Sequence, residues 1–554
     1  MLPSGKNPCF RISLEGALGE RNIGGRRMNI WMTLAKAMAL YPKKVGVVDG
    51  KLRLSYAQVG ERVKALAGFL QARGIRPGDR IAILELNSHR FLEAYYAAAG
   101  TGAILNPLNF RLSPQELAYI LRDSQARWLL ANGRFFSLVE ATLLEQNPLE
   151  GVLWMEGGAQ LSLDVQQMEY EEALRLGLGK DFLPEPVLPD QVAHLYYTSG
   201  TTGKPKGVML THQNVCVHAL GTIAELNLTD RDVWAHVAAM FHLADAWATF
   251  AITWVGGRHV MVPQFEPEKV LSTIQAERVT ISNLIPTMLN LMVKHPGARQ
   301  YDYSSLRAIL SGGAPIAPEV VRSIVEVFGC DYIQTYGMTE TSPYLTLSIL
   351  KEHLRELPPE QQLRIKARTG RPFLAVELQV VDENGEPVAA DDSTVGEIWV
   401  RGQTVTPGYW NLPQETQKAF HNGWLKTGDL AVVDQEGYVN IVDRKKDMIL
   451  TGGENVYSTE VENVLYMHPK ILEAAVFGVP DEKWGEAVKA AVVLKPGESA
   501  SQEEIISFCK DRLAHYKCPK SVDFLSELPK TGSGKITKKA LRDPYWSGYS
   551  KRVH

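Results

Sequence analysis

Paired cysteines are absent. The five cysteines, Cys9, Cys216, Cys330, Cys509 and Cys518, are scattered over 554 residues, and no two stand at C-x-x-C spacing. This pattern offers neither a disulfide framework nor a zinc site, and it suits a reducing, cytoplasmic setting. Long apolar runs are also missing: none approaches the ~20 residues of a membrane span, and the N-terminus lacks the unbroken apolar core of a secretion signal. Charge of one sign does not dominate, since 59 Lys and Arg stand against 62 Asp and Glu, a net charge of −3. No basic surface on the scale of nucleic-acid binding is implied. Internal repeats and low-complexity tracts do not occur. What is present, 45% hydrophobic and 22% charged residues, is the composition of a soluble globular protein long enough for several domains.

Residues 1–27 are mixed, glycine-containing and basic near Arg26-Arg27. They read as a loose extension, and Met28 could itself be the start. A helical pattern begins at 28–32. Ser55 and Gln58 form a capping box for a helix running through Val63, Leu66 and Leu70 to Gly74. A turn at Pro77-Gly78-Asp79 leads to a buried strand at 81–84, then a helix near 90–100. Ser113-Pro114-Gln115-Glu116 is a second capping box, with Pro at the first helical position, and 128–130 is the next strand.

Strands alternating with helices predict a parallel sheet covered on both faces. Thr211 caps a further helix, and 260–262 and 308–310 are further buried strands, so two βα layers are expected over 28–185 and 186–370. From 376 the grain changes to alternating strands, 376–381 and 396–400, with turns such as Glu383-Asn384-Gly385. This predicts a small antiparallel β subdomain to about 442. The charged run 443–447 connects it to a compact C-terminal unit with helices over 459–467 and 502–513 and strands over 474–479 and 487–494.

The densest chemistry follows the apolar run 192–197. Thr198-Ser199-Gly200-Thr201-Thr202-Gly203-Lys204-Pro205-Lys206-Gly207 packs hydroxyls, glycines and two lysines into one loop. Glycine permits positive φ, so successive backbone N–H groups can turn inward as a nest for anionic oxygens. Ser and Thr hydroxyls add donors, and Lys204 and Lys206 add charge. The loop is built to hold a polyphosphate, against the plainer alternative of a flexible surface loop. It is not a Walker A loop, because Pro205 follows Gly203-Lys204 and Thr198 stands where the first glycine belongs.

Other stretches carry weaker signals, each with a plainer alternative. In Gln334-Thr335-Tyr336-Gly337-Met338-Thr339-Glu340-Thr341, a carboxylate after a hydroxyl can hold a hard cation, and Tyr336 offers a face to a flat base; alone, it would be a polar turn. Ser311-Gly312-Gly313-Ala314-Pro315 lets a ring approach the backbone, or is simply a tight turn. His242 sits in an apolar stretch, where a lone histidine is more often a satisfied core residue; no second histidine at metal spacing accompanies it. Asp429, in Lys426-Thr427-Gly428-Asp429, would ordinarily cap a turn. Gly452-Gly453 could hinge or line a channel. Lys535, on the glycine-rich 529–536 loop, could close over a reacting centre or be a surface lysine.

In order and spacing, over roughly residues 30–540, these stretches resemble the adenylate-forming enzymes: acyl-CoA synthetases, carrier-loading adenylation domains and luciferases. The resemblance implies an α/β fold. Its large N-terminal adenylation domain (28–442) has two βα-layered subdomains and a small β-barrel-like subdomain; a hinge (443–447) leads to a small mobile α+β C-terminal domain (448–554). It implies that Ser199, Gly200, Thr201, Thr202, Gly203, Lys204 and Lys206 hold ATP phosphates, and that Thr198 and Glu340 hold Mg2+. Tyr336 would stack on adenine beside Gln334 and Gly337, with Gly313, Ala314 and Pro315 bordering adenine and the acyl pocket, and Thr339 would contact the α-phosphate. Asp429 would accept the ribose hydroxyls, with Asp443-Arg444 as a second ribose contact. His242 would have a positioning role beside the substrate carboxylate and the thiol route. Lys446 would be the hinge, Gly452 and Gly453 would shape the pantetheine tunnel, and Lys535 would bridge carboxylate and α-phosphate.

The expected reaction joins a carboxylic acid to coenzyme A with ATP and Mg2+. A medium- or long-chain fatty acid is expected, with an aryl acid as runner-up; Phe241, Trp247, Phe250, Trp254, Ile285, Met288 and Leu289 are candidates for an apolar pocket or for core packing. An acyl-AMP ligase loading a separate carrier is an alternative, and a non-enzymatic nucleotide binder is the other class. Such carrier-loading ligases typically carry an insertion hindering domain rotation; none is obvious, although 350–365 is a long polar segment. Peripheral membrane contact and a homodimer remain open.

Overall fold

The computed structural model describes residues 28–145, 149–158, 160–179, 182–198, 204–313, 316, 318–530 and 536–547. The expected capping boxes form. Gln58 N–H donates to Ser55 Oγ while Ser55 N–H donates to Gln58 Oε1, opening Tyr56–Ala72; Ser113 and Glu116 do the same for Pro114–Ser124. Thr211 caps His212–Glu225 with Asn214 as reciprocal partner. Asn214 Nδ2 also donates to the carbonyls of Gln403 and Val405, tying this helix to the later β structure.

A seven-stranded sheet runs in the spatial order Gln166–Glu169, Gly151–Glu156, Ala126–Asn132, Arg80–Leu84, Ile104–Pro107, Val192–Thr198, Lys206–Thr211. All neighbours are parallel except the last pair. A nine-stranded sheet runs Arg371–Pro372, Tyr344–Leu347, Asp331–Gly337, Ala308–Gly312, Ile281–Asn283, Val233–His236, Arg258–Met261, Val45–Asp49, Leu52–Ser55, parallel in the middle and antiparallel at both ends.

The expected division at 185/186 is crossed in both directions. Hairpin 45–55 joins the second sheet, and hairpin 192–211 joins the first. Parallel strands need not be sequence neighbours, so a linear reading cannot assign them to sheets.

Alternate residues of each parallel strand enter different cores. Ile81 and Ile83 join the large core that also holds Leu66, Tyr95, Phe250 and Leu310. Ala82 and Leu84 face another, with Leu117 and Val152, and Ile309 faces a third, with Ile324 and Tyr332. Both sheets are therefore apolar on both faces, as parallel sheets wrapped in helices must be.

A third, antiparallel sheet joins Val376–Val381 to Gly396–Gly402 and to Trp424–Val433, on which Phe420–His421 and Val439–Arg444 also pair. The C-terminal unit is a mixed sheet built on Gly485–Leu494, which pairs antiparallel with Ile471–Asp481 at the edge and in parallel with Ser521–Phe524. Helices Ser458–Tyr466 and Gln502–Lys510 cover it, and their residues Val461, Val464, Leu465, Ile505 and Cys509 share one core with the strands. The polar segment 350–365 folds into the turn Glu352–Glu356 and most of helix Pro359–Lys366.

Candidate active site

The carboxyl ends of strands Ala308–Gly312 and Asp331–Gly337 lie side by side, with Gly312 opposite Thr335, so Gly313 follows beside Tyr336. At Gly337 a Cβ would stand 1.9 Å from the Pro343 carbonyl oxygen, so only glycine fits where this strand meets its antiparallel neighbour. Gln334 lies one step further in, buried, and accepts from the Tyr332 hydroxyl at 2.5 Å.

The Tyr336 hydroxyl donates to Asp429 Oδ2 at 2.6 Å. Arg444, opposite Asp429 in the antiparallel ladder, brings its Nε to 3.5 Å from Asp429 Oδ1. Burial, then the Asp429 charge, push the Tyr336 phenol well above its ordinary pKa, so it stays a neutral donor. An aromatic face, a carboxylate and a guanidinium thus meet where two sheets join.

Thr198 and Lys206 face each other across the 192–211 hairpin. Ser199 to Gly203, which join them, lie outside the described residues, as do Ala314, Pro315 and Lys535. Lys204 is exposed, with its amine 5.8 Å from the Tyr119 ring centroid. Lys206 turns to helix Pro413–Ala419, where it pairs with Glu415 at 2.5 Å, and it lies 5.3 Å from the Tyr409 ring centroid. The Tyr409 hydroxyl donates to Glu340 Oε1 at 2.9 Å.

Glu340 follows Thr339 in the short turn Thr339–Thr341 and is 8% exposed; its carbonyl accepts from Thr406 N–H at 2.7 Å. Burial raises its pKa, the Tyr409 hydrogen bond and the Lys206 charge lower it, and Asp429 raises it. A carboxylate so desolvated favours a cation. No group of three or more His, Cys, Asp or Glu side chains suited to a metal occurs among the described residues. A lone buried carboxylate such as Glu340 instead suits Mg2+, which commonly takes one or two carboxylates and completes its shell with phosphate and water oxygens.

His242 is half-buried and is the N-cap of helix Leu243–Val255, its Nδ1 accepting from Ala244 N–H at 3.1 Å. Of the apolar candidates, Phe241, Trp247, Phe250 and Leu289 are buried in the cores. Trp247 packs edge-on against Trp234 and Tyr344, and Phe250 against Tyr95, so core packing accounts for these two. Trp254, Ile285 and Met288 are only partly buried.

Asp443 does not turn to Asp429 as Arg444 does. It is buried, and its carboxylate accepts from Ser458 N–H and from Ser458 Oγ at 2.9 Å, across the connector. Burial depresses the ammonium pKa of Lys446, whose carbonyl accepts from Arg542 at 3.3 Å. Gly452 and Gly453 have φ of +60° and +86° and form the two-residue turn between Ile449–Thr451 and Glu454–Val456; consecutive positive φ values are what such hairpins require. Gly452 N–H donates to the Trp484 carbonyl, and a Cβ there would meet the Trp484 ring at 2.7 Å.

Tyr409 and Glu415 went unnoticed in the sequence. The only signal was two aromatics after Pro407-Gly408.

Residues 34–410 match the family described as AMP-binding enzyme, and 460–535 match the AMP-binding enzyme C-terminal domain. A long-chain-fatty-acid–CoA ligase of Thermus thermophilus is 37% identical over 532 residues, covering 94% of this chain and 96% of that protein. A feruloyl-CoA synthase of Amycolatopsis sp is 38% identical over 503 residues, covering 90% and 96%. Among solved structures, an O-succinylbenzoate coenzyme A synthetase from Bacillus subtilis in complex with AMP superposes with a TM-score of 0.78 at 30% identity, covering 93% of this chain and 98% of that one. The chain belongs to the AMP-binding enzyme family, within the adenylate-forming superfamily.

Proposed function

We propose that this chain is an ATP-dependent, AMP-forming acid–CoA ligase whose acid is a medium- or long-chain fatty acid. The observation that carries the reading is the meeting of Tyr336, Asp429 and Arg444 at one sheet junction, with Glu340 close enough to Asp429 to feel its charge. In the first half-reaction a carboxylate oxygen bonds to the α-phosphorus of ATP, and the bond to the pyrophosphate oxygen breaks. The Tyr336 face takes the adenine, and Asp429 with Arg444 takes the ribose diol. Main-chain N–H groups and hydroxyls of 198–203, with Lys204, receive the phosphates, and Thr339 receives the α-phosphate. Glu340 and Thr198 would hold Mg2+, which supplies charge neutralisation at the phosphates. Lys535 stabilises the negative charge gathering at phosphorus.

In the second half-reaction the sulfur of coenzyme A bonds to the acyl carbonyl carbon, its proton is lost and AMP leaves. The C-terminal domain (448–554) turns about Lys446, withdrawing Lys535 and bringing in the Gly452-Gly453 turn. Asp443, bonded to Ser458 on the far side of the connector, joins the two parts at this pivot. The enzyme works in the cytoplasm, in keeping with free, buried Cys216, Cys330, Cys509 and Cys518.

An aryl acid is the second reading, favoured by the similarity to a feruloyl-CoA synthase. Pyrophosphate release across a panel of fatty and aryl acids decides between them, and coenzyme A-dependent AMP release tests the ligase reading. Pyrophosphate release without thiol-dependent AMP release would leave an adenylate-only enzyme, and release with no acid would end the proposal.

A further inference from the structure

Helix Leu243–Val255 starts at His242 and carries Asp245, Thr249 and Thr253 at four-residue spacing, all fully buried. Buried polar groups on an otherwise apolar helix are expensive unless they find partners; Thr249 Oγ1 has none among the described residues, whereas Asp245 and Thr253 do. Asp245 finds two on strand Val233–His236: Trp234 Nε1 lies 3.1 Å from its Oδ1, and His236 Nδ1 lies 2.5 Å from its Oδ2. His236 Nε2 is 2.9 Å from Nδ1 of His259 on the adjacent strand Arg258–Met261, and His259 Nε2 is 2.9 Å from Thr253 Oγ1. The chain of bonds leaves the helix in its first turn, crosses two strands and returns to the same helix two turns later.

With both rings neutral, one direction of donation satisfies each atom of this chain. A carboxylate only accepts, so His236 Nδ1 and Trp234 Nε1 donate to Asp245. His236 Nε2 then accepts from His259 Nδ1–H, and His259 Nε2 accepts from the Thr253 hydroxyl. Burial favours the neutral form of His259. A satisfied buried network of this kind selects one register of packing out of several that apolar contact alone would tolerate.

We infer that Asp245 is a positioning residue, which through His236, His259 and Thr253 fixes the rotation of helix Leu243–Val255 and so the placement of His242 at its start. The inference rests on the reading of His242 as a group that positions the substrate. His242 is bound into the same first turn, since Asp245 N–H and Ala246 N–H both donate to its carbonyl at 3.1 Å. A helix free to rotate or slide would carry the His242 ring with it, without any change at the nucleotide end.

The test measures the two half-reactions separately, as pyrophosphate release and as thioester formation from supplied acyl-adenylate, in Asp245→Ala, His242→Ala and the double variant. The step that His242→Ala slows is expected to fall at least tenfold in Asp245→Ala, and Asp245→Ala is expected to add less than twofold in the His242→Ala background. Asp245→Asn should restore most of the rate, because the amide can accept from Trp234 and donate to His236 if the whole chain reverses. If Asp245→Ala does not fold, Thr253→Val breaks the same chain at its other end and enters the same comparison.

Equal fold losses in both backgrounds, or an Asp245→Ala rate equal to wild type, would overturn the inference. A His242→Ala enzyme with both steps intact would overturn it differently, by removing the role of His242 while leaving the ligase reading in place.

Discussion

Tyr409 and Glu340, 69 residues apart in the chain, share a hydrogen bond of 2.9 Å, donated by the phenol to a carboxylate oxygen. The phenol is the side chain over which Lys206 lies, and Lys206 belongs to the hairpin that carries Thr198. One aromatic residue therefore links the candidate metal carboxylate to the candidate phosphate loop.

Tyr409→Phe keeps the ring under Lys206 and removes only the donor. Hydrogen bonds to charged groups contribute about 1.5–3 kcal/mol, so pyrophosphate release is expected to fall about 10- to 100-fold, with more Mg2+ needed for half-maximal rate. A magnesium titration of both proteins checks this, and an unchanged titration would refute the link.

Burial raises the pKa of Glu340. A carboxylate with a raised pKa takes up its proton at a higher pH than an exposed one, so adenylation should decline on the acid side earlier than an ordinary glutamate would require. The pH profile of pyrophosphate release measures this, and Glu340→Gln should be nearly inactive at every pH.

Glu85 is 1% exposed, and burial pushes its pKa up from 4.5 to about 7. Its Oε1 accepts from Leu86 N–H and Asn132 Nδ2, whereas Oε2 has no partner among the described residues. The folded state holds this proton more tightly than the unfolded state, so the stabilisation is complete below about 4.5 and is lost as pH rises through 7. The loss is on the order of 3 kcal/mol. Urea unfolding of wild type and Glu85→Gln at pH 5 and pH 8 should show the wild type losing more stability between the two, and parallel changes would contradict it.

Lys535→Ala should abolish pyrophosphate release yet leave thioester formation from supplied acyl-adenylate largely intact. Single-turnover measurement of each half-reaction checks the division of labour, which equal losses in both would disprove.

Asp429→Asn weakens the acceptor that Tyr336 and Arg444 now surround. The KM for ATP is expected to rise about tenfold, the equivalent of one hydrogen bond, with little change in the KM for the acid. A comparable rise in both would mean that Asp429 is structural.

Local features of the fold were legible because their causes are local. Ser55 with Gln58 and Ser113 with Glu116 announce helix starts within four residues, and apolar alternation marks the strands. The 185/186 boundary was misplaced because hairpins 45–55 and 192–211 each pair with strands contributed by the other half of the chain. His242 caps its own helix through Nδ1, as the plain alternative of a satisfied histidine would have it. His236 and Asp245 passed without notice because their partnership depends on how a helix rolls onto two strands.

By itself, the order of residues determined that a glycine- and hydroxyl-rich loop follows a buried strand and that Glu340 follows a hydroxyl. Those are consequences of backbone stereochemistry and side-chain type. Only the folded chain decided that Tyr336 meets Asp429 from 93 residues away, that Lys206 pairs with Glu415, and that Asp443 turns to Ser458 while Arg444 turns to Asp429. Such contacts are set by which sheet a strand joins and which face a side chain takes, and both follow from burying apolar surface on two sides of a sheet at once.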